Sequence, residues 1–475
     1  LLCRFVALIC KIIMVINKKK VFVLGLDSIP PELLFDRWLD QLPNIKRLIS
    51  NSIYGEMKST IPAITCPAWV SMMTSANPGR LGLYGFRNRS SYDYEGLSFA
   101  NSNTIHLDTV WDILSKIGKK VVVIGVPMTY PPKPVNGCMV TCFMTPDTKC
   151  DYTYPQGLKH EVEAVSNGYI LDVKEFRSDN KEPILKTIYD MTEKRFRLTR
   201  HFIRSKEWDF FMVVEMGPDR IHHAFWKYFD EEHPKYISGS QYRDAILNYY
   251  KYLDNEIGET MKLLSDDTLI LIVSDHGAKK MVGGICINEW LIQNDYLKLV
   301  QYPAESMPFN KLIVDWENTM VWGEGGYYGR IFMNVKDREP RGVIAPQHYE
   351  HFRNELIRKL EDLRDENGRN INTKVFKPED IYTECNGIPP DLIVYYGDLF
   401  WRSIGSVGNR TIWASENDTG PDDANHSQYG IFIMRNGKSQ YGVRREGVTL
   451  YDVAPTILNY MGVKVPEDME GKSLL

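Results

Sequence analysis

No apolar run in this chain of 475 residues approaches the roughly 18 to 20 needed for a bilayer-crossing helix. The apolar start, Leu1 to Ile13, is interrupted by Lys11, and no small-x-small cleavage site follows it. The chain begins with Leu, and its first strand pattern opens only near Lys20. Met14 is therefore the expected start, and residues 1–13 an extension without a structural role. An excess of basic charge is also missing. The net charge of −4 argues against a nucleic-acid binder that works by general basicity, and no nucleic-acid or membrane partner is expected. The eight cysteines are too few for a disulfide scaffold, and no Cys-x-x-Cys pair marks a zinc ribbon. The Cys138, Cys142 and Cys150 cluster reads as ordinary buried thiols, and a reducing, cytoplasmic setting fits best. Repeats and low-complexity segments are missing too.

What remains is a globular composition, 43% apolar and 25% charged, on a chain long enough for one large α/β domain or two to three smaller ones. Strand patterns at 20–26, 120–126, 209–215, 268–274, 391–396 and 430–434 alternate with helical ones. That alternation predicts an α/β fold with a mostly parallel central sheet flanked by helices. Ile246, Tyr250, Leu253, Ile257, Met261 and Leu264 recur at helical spacing within 242–264, as do Phe352, Leu356, Leu360 and Leu363 within 349–364. Residues 151–195 show few strong apolar runs and are expected as a loop-rich, partly helical excursion over the crevice. Further strand patterns at 329–335 and 374–376 predict an inserted α+β subdomain over 300–410. It interrupts a catalytic core of 14–299 and 411–475.

Three acidic residues stand where an apolar run stops: Asp27, Asp219 and Asp275. In an open parallel sheet those run ends border the ligand-binding crevice. Asp275 is followed by His276. Asp219 and His223 are spaced i, i+4, so one helical turn aims both the same way. His426, in Asp-Asp-Ala-Asn-His-Ser-Gln-Tyr-Gly, supplies a third imidazole. Carboxylates and imidazoles gathered at one crevice are the donors of a two-metal site for phosphoryl transfer. A nucleophile belongs on a turn between the first strand and a following helix. Within 59–79, Pro67 suits a first helical turn and places Thr65 near the helix start, where free N–H groups face an anion. The bland alternative is that Thr65 only caps the helix.

The ordered set Asp27, Thr65-Cys66-Pro67, Asp219-x-x-x-His223, Ser274-Asp275-His276-Gly277 and His426 resembles the alkaline phosphatase superfamily, in its type I phosphodiesterase/nucleotide pyrophosphatase branch. The tail from Asp452 is similar to the closing segment of many members, so the resemblance runs from about residue 20 to the end. Residues 219–226, 329–342 and 401–408 resemble prokaryotic predicted phosphodiesterases in particular. The resemblance implies an alkaline-phosphatase-like core with two divalent metal ions, zinc expected and manganese second. Asp27, Thr65, Asp275 and His276 would hold one ion, and Asp219, His223 and His426 the other. His222 would be the substitute for His223, which family spacing favours. Thr65 would attack phosphorus to give a phosphothreonine that water hydrolyses. An Asn that grips a phosphoryl oxygen in the family is replaced by Phe86 in an ungapped alignment. Asn88 would take its place only after a loop shift; otherwise the backbone N–H of Cys66 would serve.

The expected activity is that of a metal-dependent phosphodiesterase or nucleotide pyrophosphatase on a small phosphate ester, with nucleotides and nucleotide sugars as the substrate class. A phosphomonoesterase or phosphomutase of the same superfamily is the alternative, and an inactive phosphate-ligand-binding protein ranks behind both. A monoester would call for extra cations. Arg220, Lys279 and Lys280 lie near the motifs but read as solvated or structural. A sulfatase is disfavoured, because Cys66 is followed directly by Pro67.

Overall fold

The structure is a computed structural model that describes residues 19–95, 97–437 and 442–475. The expected extension 1–13 and the start at Met14 lie outside the described residues. β1 (Lys20–Leu26) reads Lys-Val-Phe-Val-Leu-Gly-Leu without alternation, and every residue after the first is buried. A strand apolar on both faces needs cover on both, which places it inside a parallel sheet.

A ten-stranded sheet surrounds it. In chain order its longer members are β1, β2 (Ile53–Lys58), β3 (Val121–Ile124), β4 (Gly137–Val140), β5 (Thr153–Tyr154), β6 (Phe210–Glu215), β7 (Thr268–Val273) and β8 (Tyr429–Arg435). They lie side by side as β2-β8-β7-β1-β6-β3-β4-β5, and two short strands near residues 443–449 add to β2. From β7 through β4 every pair is parallel. β8 runs antiparallel to β7 and β2, and β5 antiparallel to β4. The sheet is thus α/β and mostly parallel, with antiparallel additions toward each side.

The main helices are α1 (Thr65–Thr74), α2 (Lys181–Ser205), α3 (Gly217–Phe229), α4 (Ala245–Met261), α5 (Tyr349–Glu361) and α6 (Val453–Tyr460). α4 and α5 fall within the predicted 242–264 and 349–364, and bury Ile246, Tyr250, Leu253 and Ile257, and Leu356 and Leu360. The excursion expected over 151–195 is more ordered than its composition implies. α2, 25 residues long, begins within it. Its buried stripe mixes Ile184, Ile188 and Met191 with Thr192, Arg195 and Thr199, so the apolar periodicity is diluted. Its polar members bond inward: Thr192 Oγ1 donates to the Ile188 carbonyl at 3.0 Å and Arg195 Nη1 to the Val214 carbonyl at 3.1 Å.

A second, smaller sheet is antiparallel throughout. It joins Val321–Glu324, Gly329–Met333, Leu392–Tyr395 and Lys374–Phe376 in that order. Its apolar cluster gathers Ile331, Met333 and Val394 with Leu356 and Leu360 of α5, and also takes in Ile285, Ile287 and Leu291 from before residue 300. Trp401–Ile404 pairs in parallel with Gly283–Cys286, tying this unit to the core. No helix among the described residues is long and apolar enough to cross a membrane.

Candidate metal centre

The carboxyl ends of β1, β6 and β7 open on one crevice. Asp27 follows β1, Asp219 lies in the first turn of α3 just after β6, and Asp275 follows β7. His426 arrives from elsewhere. Gly277–Lys280 and Ala424–Ser427 form an antiparallel ribbon in which Ala278 faces His426, so a residue about 150 positions downstream is folded back beside His276.

Asp27 is held by an indole. Its Oδ2 accepts from Trp69 Nε1 at 2.8 Å, and its N–H donates to the Glu215 carbonyl. Gly25 makes room for this: a Cβ there would lie 2.3 Å from Trp69 Cη2. Ser28 turns the chain away with φ +66°, a left-handed conformation that costs on the order of 1 kcal/mol, and its N–H donates to Asp275 Oδ1 at 3.2 Å. Asp27 Oδ1 and Asp275 Oδ2 are left buried without a hydrogen-bond partner. Burial, with Asp219 as the next cause, pushes the Asp27 carboxyl well above the usual carboxylate range; burial and then Asp27 do the same to Asp275.

The imidazoles present lone pairs. His276 Nδ1 donates to the Gly277 carbonyl and His426 Nδ1 to the Ala63 carbonyl, both at 3.0 Å. A carbonyl only accepts, so each Nδ1 carries the proton and each Nε2 is free to ligate. His426 Nε2 is buried without a partner. The two rings stack with centroids 3.8 Å apart, and Tyr327 stacks on His426 at 4.1 Å. Burial pushes His276 down to about 4 and His426 well below its ordinary value.

On α3, Asp219 and His223 share a face: Asp219 Oδ1 lies 3.2 Å from His223 Nε2 and 3.8 Å from His426 Nε2. His223 Nδ1 donates to Asp422 Oδ1 at 2.7 Å. Burial disfavours the charged imidazole, but Asp422, Tyr327 and Asp219 outweigh it and hold His223 well above its ordinary value. Burial likewise opposes ionisation of Asp219, yet His223 and Arg220 hold it well below the usual range. His222 points the other way. Its Nε2 meets the Tyr250 hydroxyl at 2.9 Å, and burial pushes its pKa down to about 3.

The ligand-type atoms fall into two groups, Asp27 with Asp275 and His276, and Asp219 with His223 and His426, each within 4.8 Å. Their oxygens and imidazole nitrogens, without thiolate, suit zinc, manganese or iron. Four of these atoms, Asp27 Oδ1, Asp219 Oδ1, Asp275 Oδ2 and His426 Nε2, are buried with no hydrogen bond, a costly arrangement unless cations bind there. The residues present therefore fit a divalent ion in each group.

Thr65 is the first residue of α1. Ile64 precedes it as the cap, and no side chain caps the helix. Thr65 Oγ1 instead lies 3.3 Å from His276 Nε2. Backbone N–H groups of Thr65 and Cys66 belong to the first turn, where no intrahelical acceptor exists. Asn88 is not brought to the crevice. Its Oδ1 accepts from the Tyr84 N–H at 2.7 Å and its Nδ2 donates to the Gly85 carbonyl at 3.0 Å, so its amide serves its own loop. Phe86 does line the cavity beside Thr65.

A family model for type I phosphodiesterase/nucleotide pyrophosphatase matches residues 21–422. The chain belongs to this family. As a type I phosphodiesterase-family member it is a phosphoric ester hydrolase from a metal-dependent family. A search of curated proteins returned no match. Among solved structures, it is similar to phosphonoacetate hydrolase from Sinorhizobium meliloti 1021 in complex with phosphonoformate, with 14% identity, TM-score 0.62 and coverage of 94% of this chain and 96% of that one. It is also similar to murine ectonucleotide pyrophosphatase/phosphodiesterase 5, an inactive variant in complex with AMP, with 11% identity, TM-score 0.55 and coverage of 95% and 97%. The human counterpart aligns at 12% identity and TM-score 0.55, covering 94% and 96%. At these identities the likeness concerns the fold, an alkaline-phosphatase-like α/β core.

Several further residues of this type I phosphodiesterase-family crevice were not singled out as site residues by the sequence. Asp422 orients His223, and Tyr327 covers His426. Arg87, Arg177, Arg330 and Arg402 line the same cavity. Arg220, expected as solvated or structural, is buried there and ion-paired to Asp172 and Asp219. Lys279 and Lys280 bond Asp398 and Glu232 instead.

Proposed function

We propose that the chain is a two-metal phosphodiesterase of nucleotide pyrophosphatase type with Thr65 as nucleophile. Asp27, Asp275 and His276, with Thr65, would hold one ion, and Asp219, His223 and His426 the other. Zinc is the expected metal and manganese the alternative. When bound, such ions supply positive charge for the phosphoryl oxygens and lower the pKa of a bound hydroxyl.

The protein's own groups do the rest. Gly277 keeps the His276 proton on Nδ1, so the Nε2 lone pair is available to ligate an ion beside Thr65 Oγ1, whose proton would pass to solvent. Thr65 Oγ1 attacks phosphorus as one ester alcohol leaves on the opposite side, and water then cleaves the Thr65–phosphorus bond to release the remaining phosphate monoester. N–H groups of Thr65 and Cys66 meet the charge that grows on the phosphoryl oxygens. Phe86 offers no hydrogen bond there, which places that task on the backbone. The substrate is a small phosphate ester of the nucleotide class, met in the cytoplasm.

One observation carries this reading: ligand atoms of both groups are buried without hydrogen-bond partners, and Asp219 and His426 line a cavity that also holds a helix-start threonine. Metal-loaded protein assayed on paired 4-nitrophenyl phosphate diester and monoester should favour the diester. Acid quenching during turnover on the diester should trap the phosphoryl group, still carrying its second ester arm, on a peptide spanning residues 59–79. Protein that carries two ions per chain yet cleaves only the monoester would move the assignment to a phosphomonoesterase.

A further inference from the structure

The sides of this cavity are unusually rich in guanidinium groups, and two of them share one carboxylate. Arg177, in the segment before α2, donates from Nε to Asp422 Oδ2 at 2.8 Å. Arg402, on the Trp401–Ile404 strand, donates from Nη1 to the same oxygen at 3.2 Å. The other oxygen of Asp422 is taken by His223. One negative charge therefore faces two guanidiniums and an imidazole, and positive charge is left over.

Their donors are also left over. Arg177 spends one further N–H on the Tyr327 hydroxyl, and Arg402 spends none beyond Nη1 among the described residues. Arg402 is only 7% exposed at its side chain, and its Nε is buried without an acceptor. It is fixed by the face of Tyr327, 4.5 Å from ring centroid to guanidinium carbon. Arg220 differs. It gives Nε and Nη2 to Asp172 at 2.7 and 2.9 Å and Nη1 to Asp219, so it has little left for a ligand.

Position separates the pair from the reacting phosphorus. His223 turns Nε2 toward Asp219 and Nδ1 toward Asp422, so the arginines stand behind the imidazole, away from the metal-ligand atoms. They still line the cavity that contains Thr65 and His426. A phosphoryl group at Thr65 would leave them unanswered, whereas a second anion on the same substrate would reach them.

We propose that Arg177 and Arg402 form an anion subsite for a second negatively charged group, a carboxylate or a phosphate, on the non-reacting arm of the substrate. The proposal rests on the phosphodiesterase reading above. It makes the preferred substrate a phosphate diester with a charged arm, gripped by charge-assisted hydrogen bonds from two segments that supply neither candidate metal ligands nor the nucleophile.

Three 4-nitrophenyl phosphodiesters test it, differing only in the second arm: ethyl, 2-carboxyethyl or 2-phosphoethyl. Wild type should favour at least one charged arm over ethyl by about tenfold or more in kcat/KM, as expected for one or two charged hydrogen bonds. The better of the two charged arms names the anion. Arg402→Gln and Arg177→Gln should each cut that preference by about tenfold through KM, and Arg402→Lys should keep part of it. Equal use of all three esters by wild type would overturn the subsite while leaving the phosphodiesterase reading intact. Equal losses on every ester in the glutamine variants would also overturn it, since the arginines would then serve only to orient Asp422 and His223. Failure of wild type to cleave any diester would remove the phosphodiesterase reading and the subsite with it.

Discussion

Asp27, Asp275 and His276 hang from the ends of two parallel strands, whereas Asp219, His223 and His426 come from a helix and a folded-back ribbon. The strand-end group has two carboxylates, and among the described residues no guanidinium or ammonium bonds either of them. The helix group has one carboxylate, bound by Arg220, and an imidazole backed by Asp422. Burial acts on both, with opposite outcomes: Asp27 and Asp275 are pushed up, and Asp219 is held down. One group depends on an outside cation to keep its charge. The other carries compensating charge within the protein.

Removing the group that joins the comparison to chemistry should have the largest effect. Thr65→Ala should lower turnover by several powers of ten with metal content near wild type, and Thr65→Ser should keep measurable activity. Near-normal turnover by Thr65→Ala on diester and monoester alike would remove Thr65 from the nucleophile's role. His426→Ala strikes only the helix group, so metal analysis should find about one ion per chain lost while the strand-end group stays filled. Two tightly bound ions in that variant would take His426 off the ligand set.

Gly25→Ala strikes only the strand-end group. Its methyl needs the space of Trp69, so overpacking should cost about 1–3 kcal/mol and loosen the indole bond that holds Asp27. Thermal unfolding and metal affinity read it; wild-type values for both would mean that Trp69 shifts freely.

The smallest effect separates the groups most directly. In metal-free protein near pH 7, Asp27→Asn should stabilise and Asp219→Asn destabilise, each by about 1–3 kcal/mol. The signs follow from linkage. A raised folded pKa at Asp27 means stability is present below its unfolded value, near 3.8, and is lost as pH rises through the folded pKa. A lowered pKa at Asp219 means its contribution is present above that value and lost as pH falls through the folded pKa. The Asp27 difference should therefore shrink as pH falls toward about 4, whereas the Asp219 difference should persist there and shrink only at lower pH. Destabilisation by both variants at pH 7 would show that the two groups are electrostatically alike.

Legibility along the chain followed the kind of signal. β1, β6 and β7 were visible because strands buried on both faces are continuous apolar runs, and the acids that end those runs were visible with them. α2 was obscured by the Thr and Arg residues in its buried stripe. Asp422, Arg177 and Arg402 stand in polar loops and a short strand, where composition alone reads as solvent-facing. Asn88 would have served only after a loop shift, and its amide is consumed by the turn in which it lies.

Residue order alone was enough for the α/β class, the family resemblance and the six acids and imidazoles that the fold gathers into two groups, because hydrophobic periodicity and motif spacing are local properties of the chain. Which of two adjacent histidines faces the crevice was decided by the phase of α3, with His222 packed on Tyr250 and His223 turned to Asp219. The charge on each carboxylate was decided by burial and by the charged groups that the fold sets beside it. Those are long-range properties, and only the folded chain brings Arg177, Arg402 and Asp422 together behind one imidazole.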